Sequence, residues 1–204
     1  MKLNGFYNMD CMQGMKEIPD KYFELAIVDP PYGIGNFVQI TGNVRGEKVN
    51  WNNSIPDKDY FRELERVSKE RIIWGANYYN CFNDNGGAIV WYKQVPPESN
   101  LSECEIASYS RLKRVGYVHL KWQNINRSEI TIHPCQKPIA LYKWLLTNYA
   151  KQGDKILDTH VGSASSLIAC EDLGFEYLGF ELDEDYYKQA VLRLEEYRNQ
   201  LKLI

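Results

Sequence analysis

The chain has 204 residues, of which 44 % are hydrophobic and 25 % charged, and its formal net charge is −3. That length and apolar content fit one α/β domain with a full core. The slight acidity excludes the broad basic surface of a small stand-alone nucleic-acid-binding module, so any phosphate contact must come from local clusters.

In chain order, Asn8-Met9-Asp10-Cys11 opens a segment in which Asp10 can cap a short helix over 13–18. Residues 23–29 (Phe-Glu-Leu-Ala-Ile-Val-Asp) read as a buried strand. Residues 35–56 are rich in Gly, Asn and polar groups and read as a long mobile loop. Loops of that length inside a compact domain are functional or disordered. Asp57 is placed to cap a helix to about residue 69. Strands are expected over 71–74 and 88–92, with a turn from Asn83 to Gly87 before the second, then over 105–108 and 117–121. Pro138 suits the first turn of a helix to about residue 150, with Gly153 beyond its end. A strand over 155–158, a turn at Gly162, a helix over 165–173 closed by Gly174 and a strand over 176–181 form a βαβ unit, and Asp183 caps a last helix to about 201. The alternation predicts one domain over 1–204, built on a mainly parallel sheet with helices on both faces.

The cysteines are Cys11, Cys81, Cys104, Cys135 and Cys170, odd in number and without a Cys-x-x-Cys pair. They point to reduced thiols, with no metal site and no disulfide framework. No apolar run approaches the ~18 residues of a membrane span and no signal peptide is visible, so a cytoplasmic protein without membrane contact is expected.

The chemistry is concentrated at Asp29-Pro30-Pro31-Tyr32, directly after the first buried strand. The acid can accept from an amino group. Pro30 has no N–H, which leaves its carbonyl as an outward, bare acceptor, and the two prolines stiffen the turn. Tyr32 offers a flat face for stacking. Together they suit a planar ring with an exocyclic amine, such as an extruded nucleobase. In the C-terminal third, Ile156-Leu157-Asp158-Thr159-His160-Val161-Gly162-Ser163-Ala164-Ser165 is a strand, a tight turn and a helix start that lets a ligand approach the main chain. Glu181 ends the next strand, where an acid can accept from both hydroxyls of a ribose. The three-glycine phosphate fingerprint of nicotinamide-binding folds is missing.

In this order, the segments Asp10, Asp29 to Tyr32, His133-Pro134-Cys135-Gln136-Lys137-Pro138, Asp158 to Ser163 and Glu181 resemble the β-type DNA amino-methyltransferases, most of all compact phage and prophage members. The resemblance runs from Asn8 to Asp185. It implies a Rossmann-like S-adenosylmethionine-dependent methyltransferase fold and methyl transfer from S-adenosyl-L-methionine to the exocyclic amine of a flipped base in DNA. It assigns catalysis to Asp29, Pro30, Pro31 and Tyr32. It assigns cofactor binding to Asp10, Cys11, Asp29, Gln136, Lys137, Pro138, Asp158, Thr159, Gly162, Ser163, Glu181 and Leu182, with the Lys137 ammonium on the methionine carboxylate. Asp at the first motif position is commoner in adenine-N6 enzymes and Ser in cytosine-N4 enzymes, so adenine is the preferred target and cytosine the alternative. A non-catalytic cofactor-binding subunit of a larger methylation complex is the rival from another class. Two departures stand out. Thr159 and His160 replace a Pro-Phe pair and Ala164 a glycine of the commoner Asp-Pro-Phe-x-Gly-Ser-Gly-Thr loop. The chain also lacks a full-size target-recognition domain. Arg45, Lys48, Arg111, Lys113, Arg114 and Lys121 are candidate phosphate contacts, and a homodimer would widen the recognition surface.

Overall fold

The computed structural model describes residues 1–35, 52–96, 98, 101–121 and 131–201. Arg45, Lys48 and most of the expected 35–56 loop lie outside the described residues. The chain runs β1 (Gly5–Asn8), α1 (Cys11–Lys16), β2 (Phe23–Val28), α2 (Lys58–Val67), β3 (Ser68–Trp74), α3 (Ala76–Tyr79) and β4 (Ala88–Tyr92). It continues through β5 (Cys104–Tyr109), β6 (Val115–His119), α4 (Ile139–Tyr149), β7 (Lys155–Asp158), α5 (Ser165–Leu173), β8 (Glu176–Glu181) and α6 (Glu184–Leu201). The strands form one sheet in the order β1-β8-β7-β2-β3-β5-β4-β6. Only β5 is reversed relative to its neighbours.

The sheet is covered on both faces because its strands alternate between two apolar layers. Leu25, Ile27 and Ile156 pack with Leu141, Leu145, Leu167 and Leu194 of α4, α5 and α6. Ala26, Val28 and Leu157 pack with Met15 of α1 and with Tyr60, Leu64 and Val67 of α2. A period of two in a strand buried on both sides produces this split. Each fully buried large apolar side chain contributes about 1.5–3 kcal/mol.

The expected caps are in place. Asp57 Oδ1 accepts from Tyr60 N at 2.9 Å, and Asp183 Oδ1 accepts from Asp185 N at 2.9 Å and Tyr186 N at 3.0 Å. Several elements differ from expectation: the short helix α3 was not anticipated, and β6 begins two residues earlier than expected. β1, only four residues long, is held by parallel pairing with β8 rather than by any pattern of its own. β3 starts at Ser68, where a helix was expected to continue, because Phe23 of β2 pairs with Ser68. Among the described residues, no helix is long and apolar enough to cross a membrane.

Candidate active site

Seven strands direct their C-terminal ends to one rim, and a cavity of about 970 Å³ opens there. It lies beside β7 and β2, where the strand order turns back, the place at which open α/β sheets bind ligands. Its volume is at the upper end of the ~300–1,000 Å³ of small-molecule sites, enough for two ligands side by side. The lining draws on the ends of β1, β2, β3, β7 and β8, the segment before α4, and the start of β5. Because β5 runs backwards, its first residues and not its last reach this rim.

Asp29 follows β2. Its Oδ1 accepts from the Tyr32 hydroxyl at 2.6 Å, and its Oδ2 accepts from Lys137 Nζ. Lys137 Nζ also meets Glu105 Oε2 at 3.1 Å and the Tyr32 hydroxyl at 3.2 Å, and Lys93 Nζ donates to Glu105 Oε1 at 3.0 Å. Two acids and two lysines thus form a charge-balanced chain below the cavity. Burial and Glu105 push the Asp29 carboxyl above its usual range, although Lys137 pulls the other way. Burial works against the Lys137 charge, but Asp29 and Glu105 outweigh it and hold the ammonium above the ordinary lysine range. Burial likewise opposes the Glu105 charge, and Lys137 with Lys93 brings that carboxyl down to about 2.

The turn after β2 is held from several sides. Asn52 Oδ1 accepts from Tyr32 N at 2.8 Å and from Gly33 N at 3.2 Å. The Tyr79 hydroxyl donates to the Pro30 carbonyl and to the Pro31 carbonyl, the latter at 3.1 Å. The expectation of a bare Pro30 acceptor is therefore corrected: one of its lone pairs is engaged, and one remains. The Tyr32 ring stacks on Tyr78 at 4.8 Å and 17°.

On the other side of the cavity, Gly162 N donates to Glu181 Oε2 at 2.8 Å and Asp183 N donates to Glu181 Oε1 at 2.9 Å. The acid thus clamps the loop after β7 while still facing the cavity. Asp10, Cys11, Gln136, Pro138, Thr159, Gly162, Ser163 and Leu182 line the cavity. Asp10 also caps α1, accepting from Met12 N at 2.8 Å. Ala164 sits at φ 62°, a left-handed conformation that costs a residue with a β-carbon roughly 1–2 kcal/mol.

Residues 73–192 match the family model described as DNA methylase. The chain belongs to that family.

Across 91 % of its length the methylase is 32 % identical to the type II methyltransferase M.HpaI of Haemophilus parainfluenzae, covering 72 % of that protein. Two solved structures share its fold at lower identity. One is the M1.HpyAVI–SAM complex, with TM-score 0.62 and 18 % identity over 92 % of this chain and 98 % of that one. The other is the cytosine-N4-specific PvuII DNA methyltransferase, with TM-score 0.65 and 11 % identity over 96 % of this chain and 90 % of that one.

Three further expectations are corrected by the methylase structure. Asp158 does not line the cavity. It is 2 % exposed, accepts from Ser166 Oγ at 2.5 Å and His160 N at 3.0 Å, and is pushed by burial up to about 7, so it braces the loop from behind. The Lys137 ammonium does not stand free for a carboxylate ligand, since it is already shared between Asp29 and Glu105. Arg111, Lys113 and Arg114 follow the far end of β5 and line a separate hollow with Lys151, away from the rim that carries the cavity. Four rises of ~3.4 Å from Glu105 to Tyr109 put the far end of β5 about 14 Å from Glu105. Lys121, by contrast, follows the rim end of β6.

Glu105, Lys93, Tyr79 and Asn52 were not singled out from the sequence of the methylase. One signal was available for the first two: charges at the ends of apolar strands in a sheet covered on both faces need partners. Which partners they take depends on strand register.

Gly75 seats the Tyr32 ring. It has φ 75°, and a β-carbon there would lie 2.4 Å from Tyr32 Cε1. Gly75→Ala is expected to displace the Tyr32 ring, lower methyl transfer at least about tenfold, and destabilise by roughly 1–3 kcal/mol. Steady-state kinetics with a thermal melt checks this, and wild-type rates in the variant would refute it.

Proposed function

We propose that the chain methylates DNA at the exocyclic amine of an extruded base, adenine-N6 in preference to cytosine-N4, with S-adenosylmethionine as methyl donor. The observation that carries this reading is the half-buried Asp29 carboxylate at the floor of a cavity large enough for a nucleoside cofactor and a base. The cavity also fits a cationic donor. Asp10, Asp29, Glu105, Glu181 and Asp183 line it against Lys93 and Lys137, five acids to two lysines. Leu182, 71 % exposed on the rim beside Glu181, offers an apolar surface for a flat ring next to an acceptor for hydroxyls.

When bound, S-adenosylmethionine supplies a methyl group attached to a positively charged sulfur. The work of the chain is positioning and charge. The lone pair of an aromatic amine is delocalised into its ring, so the amine is a poor nucleophile. Asp29 and the remaining lone pair of the Pro30 carbonyl accept its two hydrogens and turn its own lone pair out of the ring plane. The raised Asp29 carboxyl is also a suitable acceptor for the proton that the nitrogen sheds after transfer. Carboxylate and carbonyl stabilise the positive charge that develops on nitrogen. Tyr32, whose ring already stacks on Tyr78, is the stacking partner for the base. Base–aromatic stacking contributes about 1–3 kcal/mol. We read residues 1–204 as one methyltransferase domain, with Lys121 as a phosphate contact at the rim end of β6 and Arg45 and Lys48 as further candidate contacts outside the described residues.

The test is transfer of a labelled methyl group from S-adenosylmethionine to unmethylated DNA, followed by nucleoside analysis. N6-methyladenine supports the full reading. N4-methylcytosine keeps the chemistry and overturns the base. No transfer, with cofactor binding intact, overturns the enzyme in favour of a non-catalytic subunit.

A further inference from the structure

The loop after β7 carries His160 where the commoner family form has an aromatic hydrocarbon, and two hydroxyls in series lead to one of its ring nitrogens. The Tyr60 hydroxyl lies 2.7 Å from Thr159 Oγ1, and Thr159 Oγ1 lies 2.9 Å from His160 Nδ1. Tyr60 is 3 % exposed, and burial raises its hydroxyl well above the ordinary tyrosine range, so it keeps its proton. A buried hydroxyl donor must be satisfied, and Thr159 is its hydrogen-bond partner among the described residues. Tyr60 therefore donates to Thr159. The Thr159 proton is then directed at Nδ1, which accepts it. Burial holds the imidazole neutral, with its pKa lowered to about 4. The one ring proton is consequently on Nε2. His160 lines the cavity, and its Nε2–H has no acceptor among the described residues. The ring is held by an edge contact with Tyr60 at 5.4 Å and 72°.

A ligand carboxylate in this cavity needs a donor. Lys137 is engaged by Asp29 and Glu105, and Lys93 by Glu105. We propose that His160 Nε2–H, oriented by the Tyr60–Thr159 relay, is the hydrogen-bond donor to the carboxylate at the aminoacyl end of the methyl donor. The assignment rests on the S-adenosylmethionine reading above. It makes Thr159 and Tyr60 positioning residues, and it gives the Thr159-His160 departure from the family loop a binding role.

The experiment is titration calorimetry of wild type, His160→Phe, His160→Gln and Thr159→Val with two ligands. S-adenosylhomocysteine carries the aminoacyl carboxylate and 5′-methylthioadenosine lacks it. His160→Phe keeps the ring contact with Tyr60. It is expected to weaken S-adenosylhomocysteine about tenfold or more, as loss of a charge-assisted hydrogen bond does, and to leave 5′-methylthioadenosine unchanged. His160→Gln is expected to recover most of the loss through its amide N–H, and Thr159→Val to show part of it. A long-range proton–nitrogen correlation spectrum of histidine-labelled protein should show the neutral Nε2–H tautomer. Equal loss of both ligands, unchanged S-adenosylhomocysteine affinity in His160→Phe, or an Nδ1–H tautomer would each overturn the proposal. A wild-type chain that binds neither ligand would remove the cofactor reading and this assignment with it.

Discussion

Asp29→Asn is expected to slow methyl transfer by about 10²–10³-fold, the scale seen when one preorganised group at a developing charge is removed. S-adenosylmethionine binding should stay within a few-fold of wild type. The asparagine keeps the size of the side chain and can still accept from the Tyr32 hydroxyl, but its amide cannot hold the positive charge that develops on the amine nitrogen. Alanine is a poorer choice, because it would also remove the side-chain oxygens that accept from Lys137, only 5 % exposed, and from the Tyr32 hydroxyl. Single-turnover methylation and calorimetry on the same preparation separate the two effects. Wild-type turnover in Asp29→Asn would sink the assigned role.

The second large effect is expected at Lys137→Met. Removing one member of a buried ion pair costs about 3–5 kcal/mol, because the partner charge is left uncompensated. For a chain of this size that is a fall in melting temperature of roughly 6–20 °C. The pH window follows from the direction of the shift. The folded-state pKa of Lys137 is raised, so its stabilisation is complete below the ordinary lysine value of about 10.5 and is lost only as pH rises through the higher folded value. At neutral pH the whole loss is therefore visible. The substitution also removes the group that lowers the Asp29 carboxyl against burial. Activity requires the carboxylate, so the acid limb of the pH–rate profile should move to higher pH. A thermal melt and a pH–rate profile of the variant check both parts. An unchanged limb together with an unchanged melt would show that the pair is not coupled to catalysis.

Much of the site was legible because its parts are neighbours along the chain. Asp29, Pro30, Pro31 and Tyr32 carry an acceptor, a stiff turn and a flat ring in four residues, and an apolar run before them announces a strand. The loop from Thr159 to Ser163 and the acid at Glu181 were readable in the same way, from a strand, a glycine turn and the next strand end. Lys137 was legible as a site residue but not in its partners. A lysine beside a helix start reads as free to meet a ligand, whereas the fold brings Asp29 and Glu105 to it from β2 and β5. Arg111, Lys113 and Arg114 look like a phosphate cluster in the sequence, yet the reversed direction of β5 carries them to the opposite end of the sheet.

The sequence by itself determined most of the order of strands and helices, β1 and α3 excepted, the caps at Asp57 and Asp183, the stiff turn after β2 and the family to which the chain belongs. These depend on adjacent residues, whose backbone preferences and side-chain reach act over a few positions. Only the tertiary structure decided that β5 runs backwards, that Glu105 and Lys93 complete the Asp29–Lys137 ion chain, that Tyr79 engages the Pro30 carbonyl, and that Tyr60, Thr159 and His160 come within hydrogen-bond reach of one another. Those contacts join residues far apart in sequence. Strand register and burial bring them together, and once they are buried their charges and hydrogen bonds must be satisfied by whatever the fold has placed beside them.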